Sequence, residues 1–189
     1  MPAVESSMMP LGTPAPGFSL PDPSGVVHSL ADAGEAGAVV VAFICNHCPY
    51  VKHIAPALAG VTSGLIDSGA AVFAINSNDA AAYRDDSPEA MERESAFHGY
   101  RFPYLIDEDQ SVAKAYGATC TPDLFVFGAD RELAYRGQFD ATRPSSGGPA
   151  TGFDLDRAVR AILAGEPVPE PQVPSLGCSI KWKPGNEPV

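Results

Sequence analysis

The sequence is poor in basic residues. Its 189 residues include 12 lysines and arginines against 23 aspartates and glutamates, which gives a formal net charge of −11. Binding to a phosphate backbone needs clustered positive charge, and these scattered basic residues do not supply it. The same acidity disfavours contact with anionic membrane surfaces. We therefore expect neither nucleic acid nor a membrane among the partners of this protein.

Long apolar runs are also missing. No stretch approaches the ~20 apolar residues of a membrane span. The first twenty residues hold no Lys or Arg and no continuous apolar block, so both regions typical of a signal peptide are absent. With 45% hydrophobic residues, the chain is predicted to fold as a soluble cytoplasmic protein. We expect one domain over residues 1–189, with a core at about 18–165 and a Pro-rich C-terminal tail at 166–189.

Cysteine is scarce, with four residues in the chain. A chain of this length can bury enough apolar surface to fold without disulfides. In a reducing compartment, closely spaced cysteines are more often catalytic or metal-binding than structural. Cys45 and Cys48 form such a pair, a C-x-x-C, whereas Cys120 and Cys178 each stand alone.

The apolar pattern predicts a mixed α/β domain. Continuous apolar runs at 38–44 and 70–75 are typical of strands that are buried on both faces, and helical spacing between them predicts a β-α-β unit. The Pro- and Gly-rich segments 10–23 and 165–189 are predicted to lack regular structure. Further predicted elements are a short hairpin arm at 25–30, a helix at 88–99, a strand at 104–106, a short helix starting at the Asp107 and Gln110 capping pair, a hairpin of 124–127 with 133–137, and a helix at 153–164.

The C-x-x-C is predicted to lie where the first core strand ends and a helix begins. A helix N-terminus stabilises an anion, so a thiol there loses its proton more easily, and His47 when protonated adds to this effect. Two thiols at this spacing can close a disulfide. We assign Cys45 as the attacking thiol at an exposed tip, Cys48 as the resolving thiol and His47 as a tuning group.

A metal site is the alternative interpretation of the same residues. The C-x-x-C would supply half of a zinc site, with His47, His53 or Cys120 as further ligands. No second C-x-x-C or His pair lies at ligand spacing, so we expect no metal and no organic cofactor. The acidic residues that precede and open the 88–99 helix are expected to be solvated: Asp85, Asp86, Glu89, Glu92 and Glu94.

The two isolated cysteines each allow two interpretations. Cys120 is expected to behave as a small buried hydrophobe, although it lies close enough in sequence to Thr121 to exchange with the pair. Cys178 is expected to pack in a tail that Ile180 and Trp182 hold against the body. The alternative for Cys178 is a resolving or regulatory thiol that the tail delivers.

The combination of a C-x-x-C after a buried strand with Thr121-Pro122 before a later strand resembles the thioredoxin-like superfamily. The resemblance implies a thioredoxin-like fold with a central mixed β-sheet flanked by helices, an N-terminal β-hairpin extension and a helical insertion. It implies a cis peptide bond at Pro122 beside the thiols, and a substrate groove formed by Thr121 and Pro122 with Cys120 adjacent. Thioredoxins also bury an acid in the strand before the site, and strand 38–44 has none.

A closer similarity is to the peroxiredoxin-like branch of the AhpC/TSA group that carries a C-x-x-C. True peroxiredoxins have a Thr where Cys45 stands, so Cys48 matches their peroxide-reacting cysteine. Their thiolate-stabilising Arg has no counterpart near Cys120, although Arg84, Arg136 or Arg143 could approach by another route. The similarity lies in the segments Cys45–Lys52, Ile75–Asp79, Phe102–Leu105, Tyr116–Pro122 and Gly177–Trp182.

These residues predict a thiol-disulfide oxidoreductase that cycles the Cys45–Cys48 dithiol and disulfide. Two alternatives stay open: an antioxidant thiol peroxidase that uses Cys48 or Cys45, and a metal-binding or metallochaperone module that uses the same thiols. The expected partners are a protein or small molecule that carries a disulfide or dithiol, and an external reductant. A homodimer also remains open.

Overall fold

The protein is described by a computed structural model that covers residues 3–188. Its strands and helices follow one another as β1 (Val4–Glu5), β2 (Ser19–Pro21), β3 (Val27–Ser29), β4 (Ala38–Phe43), α1 (Pro49–Asp67), β5 (Ala70–Asn76), α2 (Pro88–His98), β6 (Tyr104–Ile106), α3 (Ser111–Tyr116), β7 (Cys120–Thr121), β8 (Asp123–Gly128), β9 (Leu133–Gly137), α4 (Phe153–Ala164) and β10 (Leu176–Ser179).

A five-stranded mixed sheet forms the centre of the fold, in the order β6-β5-β4-β8-β9. Strands β4, β5 and β6 are parallel, whereas β8 and β9 run antiparallel to their neighbours. The predicted β-α-β unit is β4-α1-β5, and the mixed sheet with flanking helices confirms the predicted fold class. The helical insertion is α2, which lies between β5 and β6.

All six residues of β4 are buried because helices cover both faces of the sheet. Val40 and Ala42 pack on the side of α1 and α4, whereas Val41 and Phe43 pack on the side of α3. This two-sided burial explains why the strand is a continuous apolar run without polar alternation. It also fixes the end of β4, and therefore the start of the C-x-x-C, inside the protein.

The terminal segments differ from the prediction. The hairpin arm consists of β2 and β3, so it begins at Ser19 within a segment predicted to be irregular. In the C-terminal tail, β10 forms a three-stranded sheet between β1 and β7. The apolar pattern missed β10 because backbone pairing, and not a buried apolar face, defines this four-residue strand. Its Gly177 approaches Thr121 so closely that a β-carbon would collide with the Thr121 carbonyl.

The chain after β10 is held firmly against the body. Ile180 is buried beside α3, and Trp182 packs partly buried on the same cluster, as predicted. The Lys181 backbone N–H donates to Asn78 Oδ1 at 2.8 Å, and the Lys181 carbonyl accepts from Gln110 Nε2 at 2.9 Å. These bonds fix the tail on both sides of Lys181. Among residues 3–188, no helix combines the length and apolarity that crossing a bilayer requires.

We predict that Gly60→Ala stabilises the protein. Gly60 lies exposed within α1, and a β-carbon there meets no atom within 4 Å. Alanine in a helix interior is favoured over glycine by about 1 kcal/mol, so urea unfolding should show a rise of that size in the free energy of unfolding. Gly177→Ala should lower it, because its β-carbon has no room. A loss of stability in Gly60→Ala would contradict this placement of α1.

Candidate active site

Both thiols of the C-x-x-C contact the same residue. Cys45 follows β4, and its Sγ lies 3.2 Å from Thr121 Oγ1, whereas Cys48 precedes α1, and its Sγ lies 3.1 Å from the Thr121 carbonyl oxygen. The two cysteines are only 1% and 0% exposed. The expectation that Cys45 sits at an exposed tip is therefore wrong, because the end of β4 and the first turn of α1 are both covered.

Cys48 occupies the N-cap position of α1. The adjacent Cys45 thiol is the main group that favours ionisation of Cys48, with weaker support from the Cys178 thiol and from the Val51 N–H in the first turn of the helix. Burial opposes ionisation, but these groups prevail and lower the pKa of Cys48 to about 4. In the structure the Cys48 side chain makes no capping hydrogen bond, and its Sγ donates to the Thr121 carbonyl. Cys48 is thus the more acidic thiol of the pair.

Cys45 behaves in the opposite way. Its thiol donates to Cys48, and this hydrogen bond, followed by burial and the nearby Asp86 carboxylate, raises the pKa of Cys45 well above its usual range. A hydrogen bond donated to ionised Cys48 stabilises the protonated form of Cys45. The negative charge of Asp86 disfavours a further negative charge on Cys45. The two thiols therefore share one proton, which stays on Cys45. This reverses the order of ionisation implied by assigning Cys45 as the attacking thiol.

A buried carboxylate, Asp86, fixes the loop between the two cysteines. It accepts from the Asn46 N–H at 2.7 Å, from His47 Nδ1 at 2.6 Å and from Asn78 Nδ2 at 2.9 Å. The expectation that Asp86 lies on a solvated face is wrong, since its side chain is fully buried. His47 also stacks on Tyr83, with ring centroids 5.3 Å apart. His47 contacts the site through Asp86, and its link to the thiols is indirect.

The metal alternative has a geometric basis at this point. One ligand atom each from Cys45, His47 and Asp86 lies within 4.8 Å of the other two. Thiolate, imidazole and carboxylate are donors that zinc accepts. In the structure, however, His47 and Asp86 bind each other, and Cys45 binds Thr121 and Cys48. Metal binding therefore stays the alternative interpretation of these residues.

The Thr121–Pro122 peptide bond is cis, the conformation that the resemblance implies. Thr121 contacts both thiols, whereas Cys120 turns away. Cys120 Sγ lies 3.5 Å from the Pro122 carbonyl oxygen, and burial raises the pKa of Cys120. These contacts fit the small buried hydrophobe that the sequence predicts for Cys120, although its place beside the groove remains a prediction.

Two further residues lie near the site, of which the sequence analysis considered Cys178 and missed Asp123. Cys178, on β10, is paired in register with Thr121 and packs on the cluster that contains Cys45 and Cys48. Asp123 follows Pro122 directly and is buried opposite Phe43 of β4, where desolvation raises its pKa to about 7. The buried acid that thioredoxins carry on the strand before the site is thus missing from β4, and a buried acid stands on the neighbouring strand β8.

Comparison with known proteins identifies the family. Residues 11–136 match the AhpC/TSA family, which is two thirds of the chain, so the protein belongs to this family. The sequence matches none of the curated proteins with which it was compared. An uncharacterised conserved protein of Geobacillus kaustophilus is 52% identical, with a TM-score of 0.95 and 98% of each chain covered. A hypothetical protein of Sinorhizobium meliloti 1021 is 49% identical, with a TM-score of 0.94 over 96% of this chain and 99% of the other.

A more distant match shows the fold alone. The thioredoxin domain of a thiol-disulfide oxidoreductase from Bacteroides vulgatus is 16% identical, with a TM-score of 0.61 over 80% of this chain and 99% of the other. The protein is therefore an AhpC/TSA family member with a thioredoxin-like fold.

We predict that the ultraviolet absorbance of the thiolate shows a transition near pH 4, far below the ~8.5 of a free thiol. Cys48→Ser should abolish this transition. Cys45→Ser should retain it at a somewhat higher pH, because a serine hydroxyl still donates to Cys48. The opposite pattern, with the transition lost in Cys45→Ser and kept in Cys48→Ser, would mean that Cys45 is the thiolate.

Proposed function

We propose that this protein is a thiol-disulfide oxidoreductase in which Cys48 attacks and Cys45 resolves. The observation that carries the proposal is the position of Cys48 at the N-cap of α1 beside the Cys45 thiol, which lowers the pKa of Cys48 to about 4. A nucleophile and its resolving thiol are then already in contact before substrate binds. The roles are the reverse of those that the sequence predicts for the two cysteines.

The reaction proceeds by two exchanges. The Cys48 thiolate attacks one sulfur of a disulfide RS–SR′, a Cys48–SR bond forms, the RS–SR′ bond breaks, and R′S⁻ leaves and takes a proton from water. Cys45 then loses its proton and attacks Cys48 Sγ, so the Cys45–Cys48 disulfide forms and RS⁻ leaves. The substrate gains two electrons and the cysteine pair loses them. An external dithiol reverses the oxidation, and no organic cofactor takes part.

The second exchange needs an acceptor for the Cys45 proton. Asp86 is suited to this role, because its carboxylate is buried, lies close to Cys45 and is held by three hydrogen bonds. His47 fixes the carboxylate by donating from Nδ1, and its ring can share the proton. Once Cys48 is in a mixed disulfide, its negative charge and its hydrogen bond from Cys45 are gone. Both changes favour ionisation of Cys45 at the step that requires it.

The burial of both thiols favours compact substrates. Cys45 and Cys48 have almost no exposed surface, and β10 pairs with β7 directly beside them. A low-molecular-weight disulfide needs a smaller opening than a folded protein does. We therefore expect a small disulfide, in a compartment that supplies reducing thiols, to be turned over more readily than a protein disulfide.

Turnover of 2-hydroxyethyl disulfide with dithiothreitol as reductant tests the proposal. The wild type should reduce it faster than it reduces insulin. Cys48→Ser should lower the rate to background, since no thiolate remains to attack. A variant with both Cys45→Ser and Cys178→Ser, which leaves no neighbouring thiol to displace it, should accumulate a mixed disulfide on Cys48, which mass spectrometry can detect. Full activity in Cys48→Ser would overturn the assignment.

A thiol peroxidase is the second candidate, because Cys48 at the N-cap matches the peroxide-reacting cysteine of the family by position. Against it, two arginines that could have completed such a site are bound elsewhere. Arg136 donates to Gln172 Oε1 at 2.8 Å, and Arg143 donates to Gln138 Oε1 at 2.6 Å. Rapid consumption of hydrogen peroxide by Cys45→Ser, together with negligible turnover of 2-hydroxyethyl disulfide by the wild type, would favour the peroxidase.

Asp86→Asn tests the proton acceptor. Removing the negative charge should lower the pKa of Cys45, yet resolution of the Cys48 mixed disulfide should slow by about 10²-fold, the usual contribution of a positioned base. Stopped-flow measurement of mixed-disulfide decay and an ultraviolet titration give the two readouts. Asp85→Asn is the matched control, because Asp85 is exposed and should leave both unchanged. Equal decay rates in Asp86→Asn and the wild type would exclude the role.

A further inference from the structure

Cys178 lies against the reactive pair, although it belongs to the C-terminal tail. It pairs in register with Thr121, the residue that both Cys45 and Cys48 contact. It also packs on the apolar cluster that includes Cys45, Cys48 and Val51. The register and the packing therefore place a third thiol beside the reactive pair, close enough to Cys48 for each to affect the pKa of the other.

The exposure of the four cysteines differs. Cys45 and Cys48 are buried, as is Cys120, and Cys178 is half-buried. Cys178 is thus the least buried of the four cysteines, and we expect an external thiol to reach it most easily. A reductant would reach a disulfide between Cys45 and Cys48 only through the narrow opening that admits the substrate, so we expect its direct reduction to be slow.

We propose that Cys178 is a third redox cysteine. It attacks Cys48 in the Cys45–Cys48 disulfide, and the external reductant then attacks the Cys48–Cys178 disulfide that forms. The inference rests on the function proposed above, which supplies the oxidised pair. It assigns the C-terminal strand β10 a catalytic residue for the regeneration half of the cycle.

The exchange is balanced without any further oxidant. The Cys178 thiolate attacks Cys48 Sγ, the Cys48–Cys178 bond forms, the Cys45–Cys48 bond breaks, and Cys45 takes up the proton that Cys178 has lost. A dithiol then attacks the half-buried Cys178 sulfur, forms a mixed disulfide with it and releases Cys48 as a thiolate. The second thiol of the reductant displaces Cys178 and leaves as an oxidised, cyclic disulfide.

The charge of the site favours this order of events. In the reduced protein, burial and the neighbouring Cys48 raise the pKa of Cys178 to about 11, so Cys178 stays protonated while Cys48 reacts with substrate. In the Cys45–Cys48 disulfide, Cys48 carries no charge, so one cause of this raised pKa disappears. Lys181, which lowers the pKa of Cys178, remains in place. The pKa of Cys45 lies well above its usual range, so Cys45 takes up a proton when its bond to Cys48 breaks.

The decisive experiment uses the full chain with Cys45→Ser, so that Cys178 is the adjacent partner left for Cys48. The protein is treated with excess 2-hydroxyethyl disulfide, quenched in acid and mapped by mass spectrometry. Cys45→Ser should carry a Cys48–Cys178 disulfide and no adduct on Cys48. Cys45→Ser with Cys178→Ser should retain the adduct on Cys48. Cys45→Ser with Ser179→Ala is the matched control on β10 and should behave as Cys45→Ser alone.

A kinetic measurement provides the second readout. Re-reduction of the oxidised Cys178→Ser protein by dithiothreitol should be slower than that of the wild type by roughly tenfold or more, since a buried disulfide is shielded from attack. A stable adduct on Cys48 in Cys45→Ser, or a disulfide from Cys48 to Cys120, would overturn the inference and leave the proposed function intact. The absence of any adduct or disulfide at Cys48 in all variants would overturn both.

Discussion

The redox site depends on the contacts of one short segment, Thr121 with its cis-linked Pro122. The Thr121 hydroxyl lies against Cys45, its carbonyl lies against Cys48, and its backbone pairs with the strand that carries Cys178. Three chain segments that are far apart in sequence therefore meet at one residue. Any displacement of Thr121 would change the environment of all three thiols together. The close fit of Gly177 on the Thr121 carbonyl leaves little freedom for such a displacement.

The ionisation of the pair follows from a competition between burial and donors. Burial alone would keep both thiols protonated, as it does for Cys120. Cys48 escapes this because the Cys45 and Cys178 thiols and the first turn of α1 lie beside it and lower its pKa. Cys45 has Asp86 nearby, and that carboxylate disfavours a second anion. The protein thus produces one thiolate and one protonated neighbour from two chemically identical side chains.

Local signals explain how much of this arrangement the sequence could predict. The apolar runs at 38–44 and 70–75 predicted β4 and β5, because the burial of a strand leaves a pattern within a few residues. The approach of Asp86 to the C-x-x-C depends on the path of the loop after β5, and no spacing in the sequence encodes that path. The same holds for β10, whose partner strand lies more than fifty residues earlier. The exposure of Cys45 was predicted wrongly because cover by distant segments leaves no local pattern.

The anchoring of the tail at Lys181 has a consequence for biosynthesis. Translation produces Cys45 and Cys48 long before Cys178, so during that interval Asn78 Oδ1 lacks the Lys181 N–H and Gln110 Nε2 is left with the Ser77 carbonyl as its acceptor. The dithiol of a nascent chain therefore exists for a time without its β10 cover. Synthesis of residues 176–181 ends this interval. Docking of the tail is accordingly the last step in assembling the surroundings of the two cysteines.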